Sequence, residues 1–178
     1  MPITTATQQQ LQQLIRVVPN YPKPGVDFRD ITPLLGSAAA FTLAIVTMIT
    51  PWRDAGITHV IGIESRGFIF GAPVALGLGA GFVPLRKPGK LPRTVLREAY
   101  ALEYGTDALE MHSDALQPGS RVLIVDDVLA TGGTALAASR LVQHAGSEVA
   151  GCSVFLEIEA LGARRNMPGF RVEATLSY

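Results

Sequence analysis

The residues with the clearest chemical promise stand in one run, Val122-Leu-Ile-Val-Asp-Asp-Val-Leu-Ala-Thr-Gly-Gly-Thr134. An apolar stretch delivers two adjacent acids, Asp126 and Asp127, and a short loop then opens a helix. Backbone N–H groups of Ala130 to Thr134 are free of intrahelical partners there, and the helix dipole favours an anion. Gly132 and Gly133 let the backbone approach closely, and the hydroxyls of Thr131 and Thr134 add donors. This is a cradle for a terminal phosphate monoester. Asp126 and Asp127 have no basic neighbour in sequence, and two acceptors beside an anion site suit the vicinal hydroxyls of a ribose. The plainer alternative is a strand end with capping acids and an ordinary turn, but the thirteen-residue pattern is too specific for that. No G-x-x-x-x-G-K-[ST] occurs, and the glycines of residues 77–81 do not form G-x-G-x-x-G, so Walker and dinucleotide loops are excluded.

Three further segments carry candidate groups. Phe28 lies in a proline-fixed loop, Tyr21-Pro-Lys-Pro-Gly-Val-Asp-Phe-Arg-Asp-Ile-Thr-Pro33, where an aromatic face suits a flat heterocycle and backbone donors are held in place. Glu64-Ser-Arg-Gly-Phe68 follows a strand, and the planar fork of Arg66 suits a diphosphate. From Arg86 to Arg97 there are five basic residues (Arg86, Lys87, Lys90, Arg93, Arg97) and no acid. His59, His112 and His144 stand in unrelated contexts and take no role.

The elements that must position these groups follow from periodicity. Residues 7–18 read as a short helix ending before Pro19, and residues 21–30 hold too much proline for regular structure. Ser37 is a helix N-cap, and the apolar run after it stops before Pro51. Residues 59–64, 82–86, 121–127 and 149–158 are short, near-continuous apolar runs, with helices over about 68–78 and 134–145. Such runs spaced by helices indicate parallel strands buried on both faces. The expected fold is α/β, a mostly parallel twisted sheet flanked by helices. Ligands of such sheets bind beyond the C-terminal strand ends, which points at 64–67, 86–90 and 126–134. Residues 94–104 and 108–112 interrupt the alternation as two strand arms around a turn at 105–107, a candidate lid over about 94–112 in one domain spanning 1–178.

Composition bounds the rest. The chain is 48% hydrophobic and only 17% charged, so a buried core is expected rather than disorder. Lys+Arg and Asp+Glu balance at 15 each, which argues against a general nucleic-acid binder. Cys152 is the only cysteine, and the polar N-terminus lacks a signal pattern, so a soluble cytoplasmic protein is expected. Residues 31–52 and 67–85 carry no charge, but Pro33, Gly36 and Ser37 leave only about 14 helical residues in the first, short of the ~20 that span a bilayer, and five glycines and two prolines break up the second. These runs read as core, buried in part against a second subunit.

The 122–134 run resembles the phosphoribosyl pyrophosphate (PRPP) signature of type I phosphoribosyltransferases, and the resemblance to the adenine phosphoribosyltransferase family covers most of the chain. It implies a type I phosphoribosyltransferase-like fold, with a hairpin hood and a small N-terminal base-binding segment. It further implies transfer of phosphoribose from PRPP to adenine, giving AMP and pyrophosphate, with Mg2+ held through substrate oxygens and water, in a homodimer. By resemblance, Phe28 stacks on adenine while backbone near Val26 and Arg29 reads its edge. Asp126, Asp127 and the loop Ala130, Thr131, Gly132, Gly133, Thr134 hold ribose and 5′-phosphate. Ser65, Arg66, Lys87 and Lys90 hold pyrophosphate, and no protein side chain ligates the metal. The segment Tyr100-Ala-Leu-Glu-Tyr-Gly-Thr-Asp107 resembles the family's hood, with Glu103 at the position assigned to catalysis and Tyr104 beside it. Another base (hypoxanthine-guanine, xanthine or orotate), or a non-catalytic PRPP-binding regulator, is the alternative.

Overall fold

The structure, a computed structural model, describes residues 4–101 and 106–178. Helix α1 (Thr5–Gln12) is capped by Thr4, whose hydroxyl accepts from the Thr7 N–H. It is shorter than expected. Residues Arg16–Val18 leave the helix and form strand β1, paired antiparallel with β2 (Phe28–Asp30). Non-local pairing thus overrides local helix preference in 16–18, and places three residues of the proline-rich segment in a strand. Helix α2 (Thr32–Leu35) follows, with Asp30 accepting from both the N–H and the hydroxyl of Thr32. Helix α3 (Ala38–Ile49) starts at Ser37, whose hydroxyl accepts from the Ala40 N–H, and it ends where Pro51 removes a donor.

The central sheet then builds up from β3 (His59–Ile63), α4 (Gly67–Leu78) and β4 (Gly81–Leu85). A hairpin of β5 (Val95–Ala101) and β6 (Thr106–His112) interrupts it, with Thr106 and Asp107 inside the second arm rather than in the turn. The chain returns through β7 (Arg121–Leu129), α5 (Gly133–His144), β8 (Glu148–Glu157), the single turn α6 (Ala163–Asn166) and β9 (Val172–Ser177). The last two elements have no strong local signature. The five central strands run in the order β4-β3-β7-β8-β9, and every pairing among them is parallel.

Both faces of this sheet are covered, which is why its strands read as unbroken apolar runs. Along β7, Val122 and Ile124 face a core shared with the hairpin and α5, including Leu109, Met111 and Leu141. Leu123 and Val125 face the opposite core, with Trp52, Phe70 and Phe155 against α3 and α4. Each fully buried side chain of this size contributes about 1.5–3 kcal/mol. No helix among the described residues is long and apolar enough to cross a membrane.

The strand order fixes where a ligand can enter. From β3 the chain moves outward to β4, and later returns to the other side of β3 as β7. The crossovers on either side of this point diverge, leaving a crevice beyond the C-terminal ends of β3 and β7.

Candidate active site

Two loops border that crevice, residues 64–67 after β3 and 130–134 after β7. The first packs on β7 at Gly67, where a Cβ would sit 2.9 Å from both Asp126 Oδ1 and the Val125 carbonyl oxygen, so only glycine allows the contact. The acids are not at the strand end as expected. β7 continues to Leu129, with Val128 and Leu129 paired to Leu156 and Glu157 of β8, because the apolar pair after the acids still has a partner strand.

The 130–134 loop runs into the start of α5. Gly132 adopts φ +88 at the N-cap of α5, a left-handed conformation that a side chain resists. Among the described residues, no protein acceptor takes the N–H groups of Thr131, Gly132, Gly133 or Thr134. With Asp126 and the floor residues Cys152 and Val154, the loop lines a cavity of about 70 Å³. Larger grooves lie elsewhere. One of about 380 Å³ beside α3 carries the hydroxyls of Thr47, Thr50 and Ser153, but each already donates to an α3 carbonyl. Satisfied hydroxyls offer a ligand little, so the chemistry belongs to the crevice.

Sequence reasoning missed the loop's outer support. Asn166 of α6 donates from Nδ2 to the Thr131 carbonyl at 3.0 Å, and Met167 packs against Gly132. No local pattern marks these residues. Only the fold brings them to the loop.

Asp126 and Asp127 have a basic neighbour in space, although none in sequence. Arg66 Nε lies 2.9 Å from Asp127 Oδ2. The guanidinium N–H is not aimed along that line, and the buried oxygen has no hydrogen-bond partner among the described residues. The contact is therefore a Coulombic one that leaves acceptor capacity open. Burial, and then the charge of Asp127, push the pKa of Asp126 well above the carboxylate range. Burial also raises Asp127, although Arg66 opposes it. Arg66 reaches toward the segment expected to bind the base as well, its guanidinium carbon 5.2 Å from the centre of the Phe28 ring. Phe28 in turn meets Tyr21 edge-on at 5.3 Å. Thus Arg66 joins the two acids to the aromatic expected to stack on a base.

Other expected residues are placed as follows. Val26 has its N–H bonded to Lys23 and its carbonyl to Tyr21, closing the loop on itself. Arg29 lies on β2 with its guanidinium 4.4 Å from the centre of the Tyr178 ring, and its buried Nε has no hydrogen-bond partner among the described residues. Ser65 follows a cis peptide bond from Glu64 and accepts from the Phe68 N–H through its carbonyl. Glu103 and Tyr104 lie outside the described residues.

The basic run is not a free positive patch. Glu64 accepts from Arg86 Nε at 3.1 Å and from the Lys87 backbone N–H at 2.9 Å. The Lys87 amide first, and then Arg86, hold the Glu64 pKa down against the cost of its burial. Glu110 accepts from the Gly89 N–H at 2.9 Å, and Arg93 pairs with Asp114. Lys87 Nζ donates to the Tyr100 hydroxyl at 3.0 Å and to Asp107 Oδ2. Partial burial works against the Lys87 charge, but these two partners outweigh it and the pKa is raised. Pairing with Lys87 lowers Asp107 correspondingly. Lys90 is exposed at the end of this turn.

A glycine loop with free amides and paired acids at the switch point of a parallel sheet, beside an antiparallel hairpin, are the layout of a type I phosphoribosyltransferase. The sequence matches the family described as the phosphoribosyl transferase domain over residues 44–173. A curated relative from Aeromonas salmonicida (strain A449), named adenine phosphoribosyltransferase, is 53% identical over 164 residues, 91% of each chain. The crystal structure of adenine phosphoribosyltransferase from Rhodothermus marinus DSM 4252 superposes with a TM-score of 0.94 at 51% identity, covering 98% of this chain and all of that one. The Saccharomyces cerevisiae enzyme, solved with adenine and an imino-altritol bisphosphate, gives a TM-score of 0.90 at 35% identity, over 97% of this chain and 100% of that one. The chain belongs to the adenine phosphoribosyltransferase family.

Proposed function

We propose that this chain transfers the 5-phosphoribosyl group from PRPP to adenine, giving AMP and pyrophosphate, as one catalytic domain that works as a cytoplasmic homodimer. The observation that carries the reading is the crevice itself. The unpartnered amides of 131–134 line one cavity with Asp126, and Arg66 links the neighbouring Asp127 to Phe28. In the S. cerevisiae relative the corresponding fold holds adenine together with a bisphosphate.

The chemistry breaks the C1–O bond of PRPP and joins C1 to adenine N9. The transition state has oxocarbenium character, so the protein must position the reactants, stabilise the leaving pyrophosphate and exclude water. The 130–134 loop grips the 5′-phosphate through its amides and the hydroxyls of Thr131 and Thr134. Asp126 and Asp127 accept from the ribose hydroxyls, and the orphaned, buried Asp127 Oδ2 is the acceptor such a hydroxyl would satisfy. Phe28 stacks on adenine, held edgewise by backbone near Val26 and Arg29. Arg66, the amides around Ser65, Lys87 and Lys90 bind the pyrophosphate. Glu103 on the hood takes the proton from the base, with Tyr104 beside it.

Mg2+ fits a crevice in which the buried carboxylate oxygen Asp127 Oδ2 has no hydrogen-bond partner among the described residues, and when bound through substrate oxygens and water it would offset charge on the departing pyrophosphate. Chromatography of reactions containing PRPP, Mg2+ and adenine, hypoxanthine, guanine, xanthine or orotate tests the proposal. AMP from adenine alone is expected. Turnover of a different base would overturn the role given to Phe28, and PRPP binding without any turnover would favour a regulator.

A further inference from the structure

The hood is tied to the basic turn at one place. In the hairpin register Tyr100 stands directly opposite Asp107, on the last rung but one before residues 102–105. Lys87 reaches both from the turn after β4, donating to the Tyr100 hydroxyl and to Asp107 Oδ2. Tyr100 also donates to Asp107 Oδ2 at 3.3 Å, so the three polar groups close a triangle. Asp107 is fixed in turn, because its Oδ1 accepts from the Ala108 N–H at 2.8 Å. The ring of Tyr100 is buried, only 6% exposed. The backbones on either side are joined too, Arg86 and Glu110 exchanging hydrogen bonds of 3.0 and 2.8 Å.

An ammonium group has three N–H donors, and this triangle uses two of them. The third has no protein acceptor among the described residues. In sequence, Glu103 falls between Tyr100 and Asp107. A lysine that binds pyrophosphate through its remaining donor would therefore hold, through the other two, both arms of the hairpin that carries the proton acceptor.

From this we infer that Asp107 and Tyr100 are positioning residues that couple pyrophosphate occupancy at Lys87 to the placement of the hood. The coupling rests on the assignment of pyrophosphate to Lys87 made above. Both act through Lys87, the group each of them contacts. They set where the hood stands when the leaving group is in place, and misplacing a catalytic group by about 1 Å can cost up to about a hundredfold in rate.

A merely structural role would lower stability and substrate affinity along with rate, so the test reads the three separately. Asp107→Asn keeps an acceptor for the Ala108 amide while removing the charge that holds Lys87. With the full chain and Mg2+, PRPP affinity is measured by titration calorimetry without base, kcat by AMP formation, and folding by thermal melting. The expected result is a kcat lower by about tenfold, with the PRPP dissociation constant within about twofold of wild type and melting unchanged. Tyr100→Phe, which keeps the buried ring, should shift the same quantity in the same direction. Wild-type kcat in both variants overturns the coupling, as does a joint fall of affinity and melting temperature in Asp107→Asn. Lys87→Ala separates this from the underlying assignment. Unchanged PRPP affinity there removes Lys87 from the pyrophosphate site, whereas weakened affinity with an indifferent Asp107→Asn removes the coupling alone.

Discussion

Burial raises the pKa of Asp126, and the charge of Asp127 beside it raises it further. Each acid with a raised value binds more protons in the folded chain than in the unfolded one, between its ordinary pKa and its raised one. Stability therefore falls as pH rises through that window, and above it the full penalty of holding two charges is present. A substrate offering hydroxyl donors offsets this penalty, so the strain favours binding over the empty state. Asp126→Asn removes the repulsion while nearly preserving shape. At pH 7.5 without substrate it should melt higher than wild type by about 2–4 °C, the equivalent of about 1 kcal/mol in a chain of this size. The difference should narrow as pH approaches the ordinary aspartate value of about 3.9. PRPP affinity should fall, since a hydrogen bond to a charged acceptor contributes about 1.5–3 kcal/mol. Calorimetric melting with and without PRPP checks all three, and a variant less stable than wild type at pH 7.5 would show that the acids are not strained.

At the scale of elements, the phosphate loop depends on one backbone conformation and one outside support. Gly132 needs φ +88, and a Cβ there would meet Met167 Sδ at 2.8 Å. Gly132→Ala should therefore cost about 1–2 kcal/mol from the left-handed backbone alone. PRPP affinity should fall more than melting temperature suggests, because the amides proposed to hold the phosphate shift with the loop. Parallel denaturant titration and PRPP binding would show this, and equal affinity would mean that the loop tolerates displacement. The glycine pattern and the doubly buried strands β3, β4, β7 and β8 were legible in the sequence because they are local. Each is a short apolar run followed by a turn or a helix start. The pairing of Arg16–Val18 with Phe28–Asp30 was not, since three-residue strands are decided by a partner beyond the intervening loop. Nor could sequence bring Asn166 to Thr131, Arg66 to Asp127 or Asp107 to Lys87. Those contacts join separate elements, and no spacing rule encodes them. The acids that pair with three of the five basic residues of 86–97 were hidden for the same reason, since Glu64, Asp107 and Asp114, which meet Arg86, Lys87 and Arg93, come from other segments.

For the whole molecule, the apolar surface left over by both cores is informative. Ile69 and Leu76 are two full turns apart on α4 and so share one face. They are 38% and 83% exposed, and Phe82 on the edge strand β4 is 36% exposed. Helix α4 carries no charged residue from Gly67 to Leu78, so nothing on it softens this face toward water. At 12 residues it is far too short to span a bilayer. A second copy of the chain, presenting the same face across a two-fold axis, would cover it without new polar demands. The proposed homodimer is accordingly expected to bury Leu76 near its centre. Leu76→Glu would place an unpaired carboxylate there, costing about 3 kcal/mol or more. That corresponds to at least about a hundredfold loss of dimer affinity. In the free subunit the same substitution sits in water, so the circular dichroism spectrum should not change. Sedimentation equilibrium at micromolar concentration should find wild type dimeric and Leu76→Glu monomeric. A wild-type monomer would end the homodimer proposal, and a variant that stays dimeric with native spectra would move the interface away from α4.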